Sequence, residues 1–520
     1  MAGILRNVSL VAAATMASRV LGLLRDILLF ALLGVGAVNS AFILAFTLPN
    51  LFRRLLGEGA LSSAFIPVLA EARETDGREA GFVLLNAVLV RLAGVLGLVI
   101  VVGWGLFLSV HAVGGLADRF YLGSTLSAIL LPYVALICLA AILGAALNVE
   151  RRFLWPALSA VWLNLAMIGA LAAGAFLPEG QAQQRAFWLC GGVLLGGGLQ
   201  LLIPALDLAR QGWRPSLRLE RPERLARVFE LLVPGLLGAA IFQINILVSR
   251  LLAFSLDDDA SAILYLSARL VELPLGVFAI AVSTVLFPEM SRLRARADDG
   301  GLARTYADGL RMIFLITIPA AVGLAVLAEP ILSLLFAWGR FGGAEVAATL
   351  WPLVISACGI PFYAWMGLSV RGFHSLQDMK TPVRLGALNL VVNLVLSLAL
   401  MGPFGVAGLA FANVAASALH AVLLETLLRR RLQPTQSRRG VYATVFGASA
   451  MMGAALWVAD GWMCGIVEAE KLDAFLRVGV LVPAGIALYA ACVTLVSRDE
   501  ARSVFERWRA ARRRNRRRCP

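Results

Sequence analysis

The chain reads as an all-α polytopic membrane protein of about 14 transmembrane helices. Two pseudo-symmetric six-helix lobes surround a central cavity, and two further helices follow at the C-terminal end. Three observations predict this. Hydrophobic residues make up 60% of the 520 and charged residues 15%, with a mean hydropathy of +0.83, which is more apolar side chain than a soluble core can bury. Apolar runs of the ~20 residues needed to cross a bilayer recur along the whole length. Arginines gather in alternate loops, as they do on the cytoplasmic side of membrane proteins.

The spans begin near residues 8, 36, 82, 124, 156, 186, 229, 260, 307, 346, 382, 404, 441 and 475. The first follows Arg6, and its VSLVAAATMAS stretch resembles a secretory signal with a small-residue cleavage site after Ala17. The apolar character continues from Val20 to Leu33, however, so residues 8–33 read as one retained helix. The second span carries Leu48-Pro49-Asn50 and then Gly57-Glu58-Gly59, so it is expected to break there and present Arg53 and Arg54 at a cavity mouth. Snorkelling of that pair into the cytoplasmic interface is the alternative.

Cation-rich and cation-poor loops alternate along the chain. Arg53, Arg54, Arg73 and Arg78, then Arg151 and Arg152, Arg210 to Arg227, Arg292 to Arg304, Arg371 and Lys380, and Arg429 to Arg439 fall on one side, the cytoplasmic one. The loops at 34–40, 255–262 and 401–405 are short and poor in cations, and face outward. An even number of spans leaves both termini cytoplasmic, in agreement with Arg6 and with the run from Arg509 to Arg518.

The second half echoes the first. Leu48-Pro49 matches Leu273-Pro274 at an offset of 225, Ile66-Pro67 is echoed by Phe287-Pro288, Pro132 by Pro352, and Pro156 by Pro382. Similar offsets six spans apart imply two parallel halves related by an axis along the membrane normal, with a cavity between them. The organisation is then a first lobe at 1–215, a second at 228–432, two additional helices at 440–497 and a basic tail at 498–520. Helices broken near Pro49 and Pro274 can bend, so these are hinge candidates for alternating access.

The net charge is +14. Its bulk is positional, and the tail adds cations suited to anionic membrane lipids. No aromatic interleaving or folded reader accompanies the tail, so nucleic acid is not an expected partner. The six cysteines are scattered without CxxC spacing, and the three histidines are isolated. Neither a metal, a cofactor nor a disulfide framework is suggested.

Arginine inside the spans carries the functional information. An unpaired guanidinium at bilayer depth costs at least roughly 3 kcal/mol, so it normally faces a water-filled cavity or an anion. With Arg19 as zero on a helical wheel, Asp26 falls at about 340°, Gly22 at about 300°, Ser18 at about 260° and Arg25 at about 240°. Arg19 and Arg25 thus edge a polar wedge with Gly22 at its middle, where two guanidinium arms could close on one ligand. Helix packing against Gly22 is the structural alternative.

In the eighth span Arg269 and Glu272 are i,i+3 neighbours on a face shared with Tyr265 and Gly276. Pairing reduces the cost of burying either charge, so a purely structural ion pair is also open. Arginine suits diphosphate because its planar fork binds phosphate oxygens bidentately and stays charged. Asp26 and Glu272 are the intramembrane carboxylates found in this reading, each beside an arginine. A cation or drug antiporter is therefore the weaker class, and no nucleophile with a base or metal-binding acid cluster points to an enzyme.

SRVLGLLRD at 18–26, AFTLPNLFRRLLGEGALSSAFIPVLAE at 45–71, ARLVELPLGV at 268–277 and QDMKTPVRL at 377–385 resemble the MurJ (MviN) family of lipid II flippases. That family belongs to the multidrug/oligosaccharidyl-lipid/polysaccharide exporter superfamily. The resemblance implies transport of lipid II, the undecaprenyl-diphosphate-linked peptidoglycan precursor, from the inner to the outer leaflet, beside the cell-wall synthesis machinery. Transport of another lipid-linked oligosaccharide is the alternative.

By motif the resemblance also implies cavity roles for Arg19, Arg25, Arg53, Arg269, Glu58 and Glu272, with Ser18, Gly22, Asp26 and Arg54 in support. It implies a polyprenyl-tail groove formed by the last two helices. The sequence departs from the family pattern at Ser40 and Ala268, where an Asp is common, which implies a more positive cavity and puts ion coupling through those acids in doubt.

Overall fold

The computed structural model describes residues 2–55, 61–178, 180–276, 280–432 and 439–496, and no strand occurs among them. The helices are α1 (Ala2–Leu33), α2 (Ala37–Phe52), α3 (Leu61–Thr75), α4 (Arg78–Ala112), α5 (Asp118–Leu130), α6 (Pro132–Val149), α7 (Leu154–Ala175), α8 (Ala182–Ala209) and α9 (Leu225–Leu256). They continue as α10 (Ala260–Pro274), α11 (Ile280–Ala295), α12 (Asp299–Val326), α13 (Ala328–Phe336), α14 (Gly343–Cys358), α15 (Ile360–Ser375), α16 (Lys380–Leu432), α17 (Arg439–Met463) and α18 (Glu470–Val496).

Among the described residues nine helical segments are long and apolar enough to cross a membrane. Proline and glycine shape the others. The second span runs through Pro49 and ends in a π-helical turn at residues 53–55, and the eighth ends at Pro274 and a π-helical turn at residues 275–276. Wide turns of this kind follow where a proline removes an N–H from the ladder. α16 is two spans merged: Gly405 takes φ 55° and ψ −135°, which breaks the helix within the loop read at 401–405. α1 is continuous across Ala17.

The chain forms two compact units, Met1–Ile263 with Trp338–Gly342, and Leu264–Ala337 with Gly343–Pro520. In the first, α1 packs on α7, α7 on α8 and α6 on α8. Small residues allow the close approach. A Cβ on Gly197 would stand 2.5 Å from the Tyr133 ring, and one on Gly192 would stand 2.5 Å from Ala170. Phe42, Phe65, Leu84, Leu85 and Tyr133 form the buried interior. In the second unit Met290, Leu302, Tyr306, Leu368, Phe373, Leu424 and Leu428 make the main apolar cluster.

The internal repeat is visible in the backbone of the turns. Arg151 at φ 58° and Gln377 at φ 60° are left-handed residues at an offset of 226, and each closes a helix with the same two bonds. Arg152 N donates to Leu147 O and Asp378 N to Phe373 O, while Arg151 N and Gln377 N donate to Asn148 O and His374 O. The next residue clamps each turn to the end of a distant helix. Arg152 pairs with Asp207 at 2.6 Å, and Asp378 pairs with Arg431 at 2.7 Å. Asp207 is buried and Asp378 partly buried, with the arginine half-exposed in both, but the two halves place the charges on opposite elements.

A buried cluster ties the last helices to their unit. Arg477 on α18, 5% exposed, grips Asp460 of α17 through Nε at 2.8 Å and Nη2 at 2.7 Å. It also reaches Glu329 of α13 at 2.9 Å and Asp473 at 3.4 Å. Leu327, Met452, Leu456 and Leu481 supply the apolar contact.

Arg224, just before α9, donates to Asp76 at 2.9 Å, to Thr75 at 2.6 Å and meets Glu71 at 2.6 Å. The hydrogen bonds from Arg224 and then Thr75 hold the exposed Asp76 carboxyl below its ordinary value of 3.8. A depressed folded value means that this contact stabilises above about pH 4 and is lost as pH falls through the folded value. Arg224→Gln is therefore expected to make the acid-side fall of the thermal midpoint slightly shallower below about pH 4. An unchanged slope in the variant would show the contact to be energetically neutral.

Candidate functional site

In the first unit α1 brings Arg25, Asp26 and Gly22 into the interior. Arg25 is 8% exposed and Asp26 fully buried. Arg25 Nε and Nη2 donate to Asp26 Oδ1 at 3.0 and 2.6 Å, while Nη1 donates to Asn164 Oδ1 of α7 at 3.1 Å. Asn164 in turn donates to the Ser18 carbonyl at 3.1 Å, so one α7 amide bridges two of the residues singled out in the first motif. Arg19 lies outside this knot and is exposed, and Ser18 is partly buried. The polar wedge of α1 thus divides into a buried part on α7 and an open edge carrying Arg19.

Arg53 stands in the π-helical turn closing α2, partly buried, with Nε 3.4 Å from Asn50 Oδ1. Arg54 is exposed. On α6 the Tyr133 side chain is fully buried. That phenol donates to Gln200 Oε1 at 3.1 Å, and Gln200 is fixed by donating to the Ser159 carbonyl at 2.9 Å. Glu58 lies outside the described residues. Ser40, in the place of the expected acid, accepts from Ala262 N at 3.2 Å and donates to Val35 O at 3.3 Å, so a neutral hydroxyl serves as the acceptor there.

In the second unit Arg269 and Glu272 form an i,i+3 pair at 3.3 Å, with side chains 27% and 51% exposed. Pro274 follows within the same helix and Ala268 is exposed.

The sequence reading named Asp26 and Glu272 as the intramembrane acids and passed over Glu425. Glu425 is 6% exposed, accepts from Trp365 Nε1 at 3.2 Å, and is also bonded by Tyr306 Oη and Arg429 Nε. These three donors draw α12, α15 and α16 together around one carboxyl group. Its position one turn before Arg429-Arg430-Arg431 made it look like the flank of a loop. Asn164 and Gln200 carried one signal: an amide in an otherwise apolar span must find partners inside the bundle.

The sequence profile of the family described as "Lipid II flippase MurJ" matches residues 29–470. A "Probable lipid II flippase MurJ" of Vibrio cholerae is 34% identical over 510 residues, covering 95% of this chain and 96% of its own. One of Haemophilus influenzae is 35% identical, covering 90% and 94%. A solved structure described as "Lipid II flippase MurJ, inward closed conformation" superposes with a TM-score of 0.78 at 23% identity, covering 94% of this chain and 99% of that one. An inward-facing multidrug resistance MATE family transporter of the MOP superfamily gives 0.66 at 14% identity, covering 82% and 98%. Both likenesses concern the fold.

Proposed function

The chain belongs to the lipid II flippase MurJ family, and from that premise we propose that it moves lipid II from the inner to the outer leaflet of the cytoplasmic membrane by alternating access. Lobes at 1–215 and 228–432 rock about a cavity, with bending at Pro49 and Pro274. The diphosphate is held by Arg19, Arg25, Arg53 and Arg269. Ser18, Gly22, Asp26, Arg54, Glu58 and Glu272 shape and balance the site. The helices at 440–497 accommodate the undecaprenyl tail, both termini are cytoplasmic, and the tail at 498–520 rests on anionic lipids. The protein is a transporter without a catalytic step, working next to the cell-wall synthesis machinery.

The observation that carries this reading is Arg25, buried inside a membrane bundle with its guanidinium oriented by the Asp26 carboxylate and the Asn164 amide. Buried guanidinium groups held with their forks oriented suit a doubly charged phosphate ester better than a cation or neutral drug.

Complementation in cells depleted of their own lipid II flippase tests it, read as lipid II accessible on the outer leaflet. Restored exposure is the expected result. Normal membrane expression without restoration would overturn it in favour of another lipid-linked oligosaccharide or of antiport.

A further inference from the structure

The segment joining α8 to α9 is not a slack loop. Trp213 is buried, 5% exposed, and its Nε1 donates to Asn86 Oδ1 of α4 at 2.9 Å while Asn86 Nδ2 donates to the Arg214 carbonyl at 2.9 Å. Farther along, Arg91 Nη2 donates to the Glu220 carbonyl at 2.7 Å. The backbone is thus pinned to α4 at two heights about 7.5 Å apart along the helix axis. Between the pins stand Leu217 and Leu219, 91% and 71% exposed.

Two facts place this segment at the edge of the bilayer. No ionisable residue occurs on α4 from Leu92 to Val110, so Arg91 marks where the apolar span begins. Arg91 also lies within about 20° of Leu98 and Val102 on the helix wheel, and those residues are 65% and 62% exposed on the perimeter of the unit. The pin at Glu220 therefore sits under the lipid-facing side of α4. Arg210, Arg214, Arg218 and Arg221 surround the bare leucines, and they form no ion pair among the described residues. Arg224 at the end of the loop and Arg227 in the first turn of α9 are, by contrast, paired with Glu71 and Asp76.

We propose that residues 213–222 are an interfacial anchor: Leu217 and Leu219 enter the acyl border of the adjoining leaflet, and Arg214, Arg218 and Arg221 lie on the phosphates of anionic lipid headgroups. Bare leucines between unpaired arginines at this depth fit a surface that offers hydrocarbon and anions together. The inference rests on the membrane-spanning character of α4, and the cytoplasmic placement of arginine-rich loops names the leaflet.

Trypsin reads the contact directly. Arg214 and Arg221 each precede proline and resist cleavage, so the Arg218–Leu219 bond between the two leucines is the reporter. The purified full chain is placed in nanodiscs of phosphatidylcholine alone or with added phosphatidylglycerol. Both faces are open to protease, and cleavage is normalised to the exposed Arg296–Ala297 bond. Cleavage after Arg218 is expected to be at least about tenfold slower in the anionic discs, and the difference is expected to shrink in high salt. A Leu217→Ser/Leu219→Ser variant is expected to lose the protection. Equal cleavage in both lipids, or undiminished protection in the double variant, overturns the anchor and leaves a loop held by α4 alone. The lipid comparison on the native chain stands even where the variant fails to fold.

Discussion

Arg25→Ala, as the sole copy in the cell, is expected to lower lipid II export at least about 100-fold, because two charge-assisted hydrogen bonds of about 1.5–3 kcal/mol each are removed from the bound diphosphate. The same substitution takes a charge partner from Asp26, which is fully buried, and breaking a buried pair from one side costs about 3–5 kcal/mol. Transport and stability would therefore fall together, and the two causes must be separated. Arg25→Ala with Asp26→Asn removes the carboxylate charge as well, so the thermal midpoint is expected to recover while export stays low. Arg25→Lys keeps the charge but cannot engage the Asp26 carboxylate and the Asn164 amide with one planar group, and is expected to restore export only in part. Normal export by the folded double variant would remove Arg25 from the diphosphate site. Outer-leaflet accessibility of lipid II and the melting curve of the purified protein are the two readings needed.

Arg477→Leu is expected to be among the most destabilising substitutions in the second unit. It leaves Asp460, Asp473 and Glu329 facing one another around an apolar side chain, and breaking a buried pair from one side costs about 3–5 kcal/mol. Because the three carboxylates belong to α13, α17 and α18, the loss concentrates where the last two helices join their unit. A lower thermal midpoint and faster hydrogen exchange in α17 and α18 are the expected signs. Asp460→Asn added to Arg477→Leu should recover part of the midpoint by removing one of the repelling charges. Unchanged exchange in α17 and α18 would show that the apolar contacts of Met452, Leu456 and Leu481 hold these helices unaided.

What was legible in the sequence was what depends on near neighbours along the chain. The helix break after Pro49, the end of α10 at Pro274, the break at Gly405 and the Arg269–Glu272 pair are set by local backbone sterics or by i,i+3 spacing. Apolar run length gave the class of fold for the same reason. Arg25 could be singled out because a cation in a span is costly, but its partner could not, since Asn164 is 139 residues away. Helical-wheel geometry placed Arg19 and Arg25 on the edges of one wedge; it could not say that α7 would close over the Arg25 edge and leave Arg19 open. Glu425 escaped because its burial is produced by three helices that meet only in the folded chain.

The reversed clamps bear on how such a chain could have been assembled. Arg152 with Asp207, and Asp378 with Arg431, fasten equivalent turns although neither position keeps its residue type. What the two halves share there is a product of charges, and a product is unchanged when both factors change sign. An ancestral duplication could drift through such a swap if both exchanges became fixed together, since either single exchange leaves two like charges in contact. Residue-by-residue comparison of the halves would score the clamp as two mismatches, so kinship between the halves is better sought in the left-handed turn residues and the proline spacing that the clamp protects.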